Sequence, residues 1–284
     1  MNGVIIVDKP AGMTSHDVVN KARKIFNQKK IGHTGTLDPD ATGVLVLCFG
    51  QATKIIPYLE EADKGYQATI SFGRATTTLD AAGETTAQVA VTKVPKLNQA
   101  LLSLTTITAL KPPQVSAVKV DGKKLYEYAR RGIEVEVETR PMRVLKVQAG
   151  ELVYQDQEAL ITLDFVVSKG TYIRSLVQYL SDYVGLPAHL ATLRRTHSGR
   201  FLLQDAVRLE DLSIDTPMMR IEEALPYPVK EVDEATALAI HRGKPLLNTY
   251  GITGSVVFTR KRALAIYETK GEMVVPSRVF VYED

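Results

Sequence analysis

The chain has 284 residues, 45% of them hydrophobic, enough to bury a sizeable core in one large domain or in a large and a small one. A formal net charge of +3 is only mildly basic, so charge alone does not identify a nucleic-acid partner. The single cysteine, Cys48, excludes an intrachain disulfide and a multi-cysteine zinc site and points to a reducing compartment.

No apolar run approaches membrane-spanning length, and the segment from Met1 to Asp8 lacks a basic leader region or cleavage site. A soluble, cytoplasmic protein without membrane association is expected. Val4 to Val7 reads as a buried strand, broken at Asp8-Lys9-Pro10-Ala11-Gly12. Ser15 is read as the N-cap of a helix with Asp17 in its first turn. Val18, Val19, Ala22, Ile25 and Phe26 recur there at helical spacing, and Lys21, Lys24, Lys29 and Lys30 fall on or after the polar face. Residues 32–43, GHTGTLDPDATG, read as one loop in which three glycines permit sharp turns and Pro39 pushes Asp38 towards an extended conformation. The continuous apolar run from Val44 to Phe49 behind it is expected to be a central strand buried on both faces. A Gly-rich loop on a rigid strand thus presents His33, Asp38 and Asp40. Taken as residues alone, the plainer reading is a tight turn in which an aspartate caps backbone donors.

Thr53 to Leu59 reads as a short helical segment. From Tyr66 to Phe72 the chain alternates, so Tyr66, Ala68, Ile70 and Phe72 share one face of a strand. Residues 113–140 form an inset. Asp121-Gly122 suits a type I′ hairpin turn between Val118 and Leu125, and Tyr126, Tyr128, Arg130 and Arg131 follow in a helical turn. Tyrosines interleaved with Lys123, Lys124, Arg130 and Arg131 fit an RNA surface, with a solvated hairpin as the alternative. Ile161, Leu163, Phe165 and Val167 mark another strand. Ser168-Lys169-Gly170 turns the chain into a helix whose buried face is Ile173, Leu176, Val177 and Leu180, stopping at Gly185. Arg174 at that helix start opposes the helix dipole, a placement that makes sense if it faces a carboxylate. Pro226-Tyr227-Pro228 is the linker candidate. Beyond it come a short helix from Asp233 to His241 and strands at 256–258, 263–267 and 274–281, with Arg260-Lys261-Arg262 at one turn.

The loop fills every fixed position of G-H-x-G-x-L-D-P-x-A-x-G, and so resembles the catalytic motif of the TruB-type tRNA pseudouridine synthases. Other segments agree. Asp8-Lys9-Pro10 to Ser15 resembles the family's first motif, Asp63-Lys64-Gly65-Tyr66 its D-K-x-Y, Ser168 to Arg174 its S-K-G-T-Y-I-R, and Leu190 to Arg195 its L-x-x-L-R-R. Residues 73–83 resemble T-D-T-x-D-x-x-G but carry Thr77 where an acidic residue is usual.

The resemblance implies an α+β pseudouridine-synthase fold with a mixed, largely antiparallel central sheet flanked by helices. It implies a catalytic domain at 1–228, with the RNA-gripping inset at about 113–140, and a small β-rich PUA-like RNA-binding domain at 229–284. Asp38 becomes the catalytic nucleophile and Arg174 the partner that keeps it ionised. Tyr66 stacks on the target base and helps handle the C5 proton. Tyr172 shares the pocket, Leu193 is an apolar wall, and His33 braces the RNA position left by the flipped base. Lys9 supports the floor of the site, and the arginines at 194 and 195 support either the sheet or the RNA. The implied substrate is the uridine at position 55 in the T stem-loop of tRNA, with no cofactor or metal and a monomeric enzyme. Two other classes compete with this reading: an RNA-binding module whose loop is structural, and a hydrolase using Asp38 and Asp40 as a carboxylate pair.

Overall fold

The fold is described for residues 1–282 in a computed structural model of the chain. The first apolar run forms β1 (Gly3–Lys9), followed by α1 (Ser15–Ile25). The cap of α1 is Thr14, not Ser15: the Thr14 hydroxyl accepts from the Asp17 amide, and the Asp17 carboxylate accepts from the Thr14 amide. Two adjacent hydroxyl residues look alike in sequence, and only the geometry selects the one facing the amides.

Next come β2 (Ile31–Thr34) and β3 (Thr42–Phe49), paired antiparallel with His33 opposite Leu47. The segment 32–43 is therefore not one loop; its first three residues belong to β2 and its last two, Thr42 and Gly43, to β3. Gly35 and Gly43 do take positive φ, at 69° and 102°, whereas Gly32 does not. β3 is buried on both faces, as its unbroken apolar run implies. Val44, Val46 and Cys48 face one hydrophobic cluster and Leu45, Leu47 and Phe49 another, the latter closed by Val18, Val19 and Ala22 of α1 and by Phe26 at its C-terminal cap. The segment expected as a helix from Thr53 to Leu59 is a 3-10 stretch (Gly50–Ile55) running into one α turn (Ile56–Glu60).

The sheet continues with β4 (Lys64–Phe72), β5 (Val144–Gln155), β6 (Glu158–Val167), β7 (Ala188–Ser198) and β8 (Val207–Arg208). Its order is β5-β6-β4-β7-β3-β1-β8. The β7–β3 and β1–β8 pairs are parallel and the others antiparallel, which gives the mixed, largely antiparallel α+β sheet expected. The parallel pairing sets Arg195 beside Gly43, while on its other side Arg195 lies opposite Tyr66 of β4. A Cβ at Gly43 would stand 2.2 Å from the Arg195 carbonyl oxygen, so glycine is required there by contact as well as by φ. Helix α2 (Ile173–Val184) covers the β4–β6–β7 face and stops at Gly185, φ 72°, in the left-handed cap read from the sequence.

The inset folds around Val118, Leu125 and Val137. Its hairpin pairs Lys119 with Lys124 through Asp121 and Gly122, both at positive φ as the type I′ turn demands. The tail forms a separate five-stranded sheet with a helix, Glu234–His241, capped by Asp233. Val257, Ala263, Ile266 and Phe280 nevertheless pack in the same cluster as Val4, Ile6, Val44 and Val46. Lys54 donates to the Val279 carbonyl, and the Tyr58 hydroxyl meets that of Ser277. The last two residues of the expected tail domain lie outside the described residues.

Candidate active site

The segment between β2 and β3 is held at several points by buried polar groups. The Lys9 ammonium has no exposed surface and donates to the carbonyls of Pro10, Met13 and Pro39 at 2.5–2.8 Å. Three acceptors use all three N–H groups of an ammonium, while burial lowers its pKa to about 8. Arg195, also fully buried, donates from Nε to Val44 O (2.6 Å) and from a terminal nitrogen to Gly35 O (3.1 Å). Of the two roles open to Arg195, the sheet-supporting one is observed. Arg194 likewise pairs with Asp8 at 2.6 Å.

This mounting presents Asp38 to Arg174, whose NH2 lies 2.9 Å from Asp38 Oδ2. Arg174 is 4% exposed, and the Asp38 side chain is 41% open to the cleft. Arg174 also donates to Thr78 O at 3.2 Å, and its Nε stands 3.7 Å from Asp80 Oδ2. A charged group at a helix start against the dipole is thus compensated by two carboxylates and a carbonyl. Burial pushes the Asp38 carboxyl above its ordinary value; Arg174 opposes that shift and Asp80 adds to it. The arginine is therefore where the residues implied, but the net direction is upward because desolvation outweighs the attraction.

A cavity of 460 Å³ opens beside the pair, lined by Asp38, Tyr66, Tyr172, Arg174 and Leu193 together with Lys64. Five side chains named from the sequence therefore meet at one place. Tyr66 is buried, belongs to the main hydrophobic cluster and also lines the cavity, so it has a core side and a cleft side. Tyr172 is the N-terminal flanking residue of α2 and packs on the core of the inset; burial raises its phenol pKa, with Arg140 opposing. A second cavity of 240 Å³ shares Asp38, Arg174 and Leu193 and adds Asp40 and Asp80.

The other expected residues lie apart. His33 sits in β2 and does not line the cavity; burial lowers its pKa, and the Arg195 guanidinium adds to that shift. Lys123, Lys124, Arg130 and Arg131 project from the inset rather than into the cleft. Lys124 and Arg130 lie 5.4 and 5.2 Å from the centroid of the Tyr126 ring, so that ring carries two cations and is not a bare stacking platform. In the tail, Arg260 pairs with Glu234 and Arg262 lies 3.9 Å over Tyr282. Asp80 is the neighbour of Arg174 that the sequence patterns did not single out, although it fills the second acidic position of the 73–83 motif. Thr77, the departure from that motif, bonds to Glu84 across the hairpin. Among the described residues no group of three or more His, Cys, Asp or Glu is arranged to hold a metal, and no helix is long and apolar enough to cross a membrane.

Residues 23–173 match the model of the TruB family pseudouridylate synthases, N-terminal domain. The chain belongs to the TruB family. Among curated TruB relatives, tRNA pseudouridine synthase B of Bacillus cereus is 42% identical over 303 residues, spanning 99% of this chain and 98% of that protein. The protein of the same name from Caldanaerobacter subterraneus is 40% identical over 286 residues, spanning 99% of each. A chain in a solved Cbf5-Nop10-Gar1 complex aligns over 98% of this TruB-family chain and 85% of its own length, with a TM-score of 0.71 and 26% identity. A chain of an H/ACA RNP bound to a substrate RNA containing 2′-deoxyuridine shares the fold at a TM-score of 0.72 and 24% identity, over 99% and 86% of the two chains. As a pseudouridylate synthase the TruB-family chain is an isomerase.

Proposed function

We propose that the protein isomerises the uridine at position 55 of the tRNA T-loop to pseudouridine, with Asp38 as nucleophile. The observation that carries this reading is the Asp38–Arg174 ion pair on the wall of a cleft that also holds Tyr66. Isomerisation breaks the N1–C1′ bond, turns the uracil and joins C5 to C1′. The C5 proton leaves and N1 gains one, so no oxidant or energy donor enters the balance. An aspartate adds to the nucleoside only as the anion. Burial disfavours that anion and the nearby guanidinium favours it, which gives Arg174 a reason to be there. A duplex or stacked loop keeps the target base out of reach of a carboxylate in a cleft, so the nucleotide turns out of its stack to enter. Tyr66 then stacks on the uracil and its hydroxyl helps take the C5 proton, while Tyr172 and Leu193 frame the base. His33 braces the RNA from outside the cleft. The support for a tRNA substrate is the name carried by relatives that match along almost the whole chain.

In this reading residues 1–228 perform the reaction. The inset at 113–140 grips the T stem-loop backbone through Lys123, Lys124, Arg130 and Arg131, and residues 229–284 are a PUA-like RNA-binding unit. The enzyme works as a monomer in the cytoplasm, without cofactor. The test is tritium release from a T stem-loop labelled at C5 of the target uridine. The parent protein should release the label, and Asp38→Asn should bind the same RNA and release none. A parent protein that binds the stem-loop and releases no tritium would overturn the proposal.

A further inference from the structure

We propose that Ser15 is a positioning residue for the reaction: its hydroxyl holds both backbone groups of Leu37 and so fixes the peptide that carries Asp38. The inference rests on Asp38 being the reacting group. Ser15 is the first residue of α1 and is 1% exposed. The capping work at this helix start is done by Thr14 and Asp17, which leaves the Ser15 hydroxyl free of the helix. It turns instead to the segment between β2 and β3. The Leu37 amide donates to Ser15 Oγ at 2.8 Å, and Ser15 Oγ donates to the Leu37 carbonyl at 3.2 Å.

These two bonds act on the two peptide planes that flank Leu37. The second plane is the Leu37–Asp38 peptide itself, and because a peptide is planar, holding its carbonyl oxygen also sets the Asp38 amide and Cα. Between that plane and the carboxylate lie the φ of Asp38 and two side-chain torsions, and the far end is tied to Arg174. The carboxylate is thus set from both ends, by Ser15 through the backbone and by Arg174 at the oxygen. The other buried anchors hold different points: Arg195 holds Gly35, and Lys9 holds Pro39. Leu37 itself is 3% exposed in the cluster that includes Tyr66, so a drift of this peptide also disturbs the wall of the cleft. The residue type follows from the geometry. Only a short hydroxyl both accepts and donates at this range; alanine leaves a buried amide unpaired, and a thiol fills the space with a weak donor and acceptor.

The test compares Ser15→Ala, Ser15→Cys and Ser15→Thr in the full chain. The readouts are single-turnover C5 tritium release across pH, RNA affinity and thermal melting. A displacement of order 1 Å in a reacting group costs about a hundredfold in rate, so the Ala and Cys variants should be roughly 10- to 100-fold slower. RNA affinity should stay within about twofold, the split expected when an interaction serves the transition state and not binding. The acid limb of the rate profile should move to higher pH, because a loosened Asp38 is held less well against Arg174. Ser15→Thr keeps the hydroxyl and should recover most of the rate. Ala and Cys variants with the parental rate and pH profile would overturn the inference. So would activity lost only in proportion to melting or RNA affinity, with an unmoved profile, since that marks a merely structural serine. Should Ser15→Ala not fold, the isosteric Cys variant carries the same comparison. Failure of the parent on the labelled stem-loop tells against the assigned reaction, whereas an active parent with unaffected Ser15 variants tells against this inference alone.

Discussion

Arg174 offers the sharpest test of how the site is built. It makes a 2.9 Å contact to Asp38 and a 3.2 Å bond to Thr78 O, with Asp80 at 3.7 Å, just past hydrogen-bond length. In Arg174→Lys one ammonium replaces a planar fork and cannot serve both sides. Losing one charge-assisted bond costs about 1.5–3 kcal/mol. At about 1.4 kcal/mol per decade, that is a roughly ten- to hundredfold slower reaction if the bond acts in the transition state. Arg174→Met removes the charge as well and should be slower still. The pH profile separates the two variants. The active form of Asp38 is the anion; burial and Asp80 raise its pKa and Arg174 opposes them. Taking Arg174 away leaves only the raising influences of that set and the weaker pull of Lys9, so the acid limb of the rate must move to higher pH in Met and less far in Lys. The assay is single-turnover tritium release with enzyme in excess over labelled T stem-loop, across pH. RNA affinity should change little, because a side chain 4% exposed offers almost no surface to the RNA. A Met variant that is folded by its melting curve, with the parental rate and acid limb, would refute the pairing argument.

Tyr66→Phe should keep RNA affinity but stall before product release in single-turnover experiments. Tyr66→Leu should also lose part of a stacking contribution of about 1–3 kcal/mol; full-rate product release by the Phe variant would remove the proton role. Neutralising Lys123 and Lys124 together should flatten the log–log dependence of RNA affinity on salt by roughly one unit for each phosphate they neutralise, and an unchanged slope would place them away from the RNA. Phe280 has no exposed surface and packs with Val4, Ile6, Val44 and Val46, so Phe280→Ala should destabilise the whole chain by about 3–5 kcal/mol in urea unfolding. An independent low-stability transition confined to the tail would show instead that the tail is a detachable accessory.

Much of the fold is written in short-range patterns. The unbroken apolar run of β3 implies a strand covered on both faces, and two hydrophobic clusters cover it. Asp121-Gly122 implies its turn, and Gly185 its helix stop, because positive φ is a local requirement on a single residue. The motif segments point to Asp38, Tyr66, Tyr172, Arg174 and Leu193, which line one cavity. What the residues alone could not decide was who pairs with whom. Thr14 and Ser15 are neighbours of like chemistry, and only the approach of Leu37 tells the cap from the clamp. Residues 32–34 carry a loop-like composition, yet pairing with β3 makes them a strand. Asp80 faces Arg174 because its hairpin is bridged to Leu190 of β7, a contact between segments far apart in the chain. The tail reads in sequence as a separate appendage, but its apolar residues complete the cover of β1 and β3. Periodicity, caps and turn residues express the preferences of a few consecutive residues. Pairing of buried polar groups and sharing of a core depend on which strands lie side by side, and that is settled only by the packing of the whole chain.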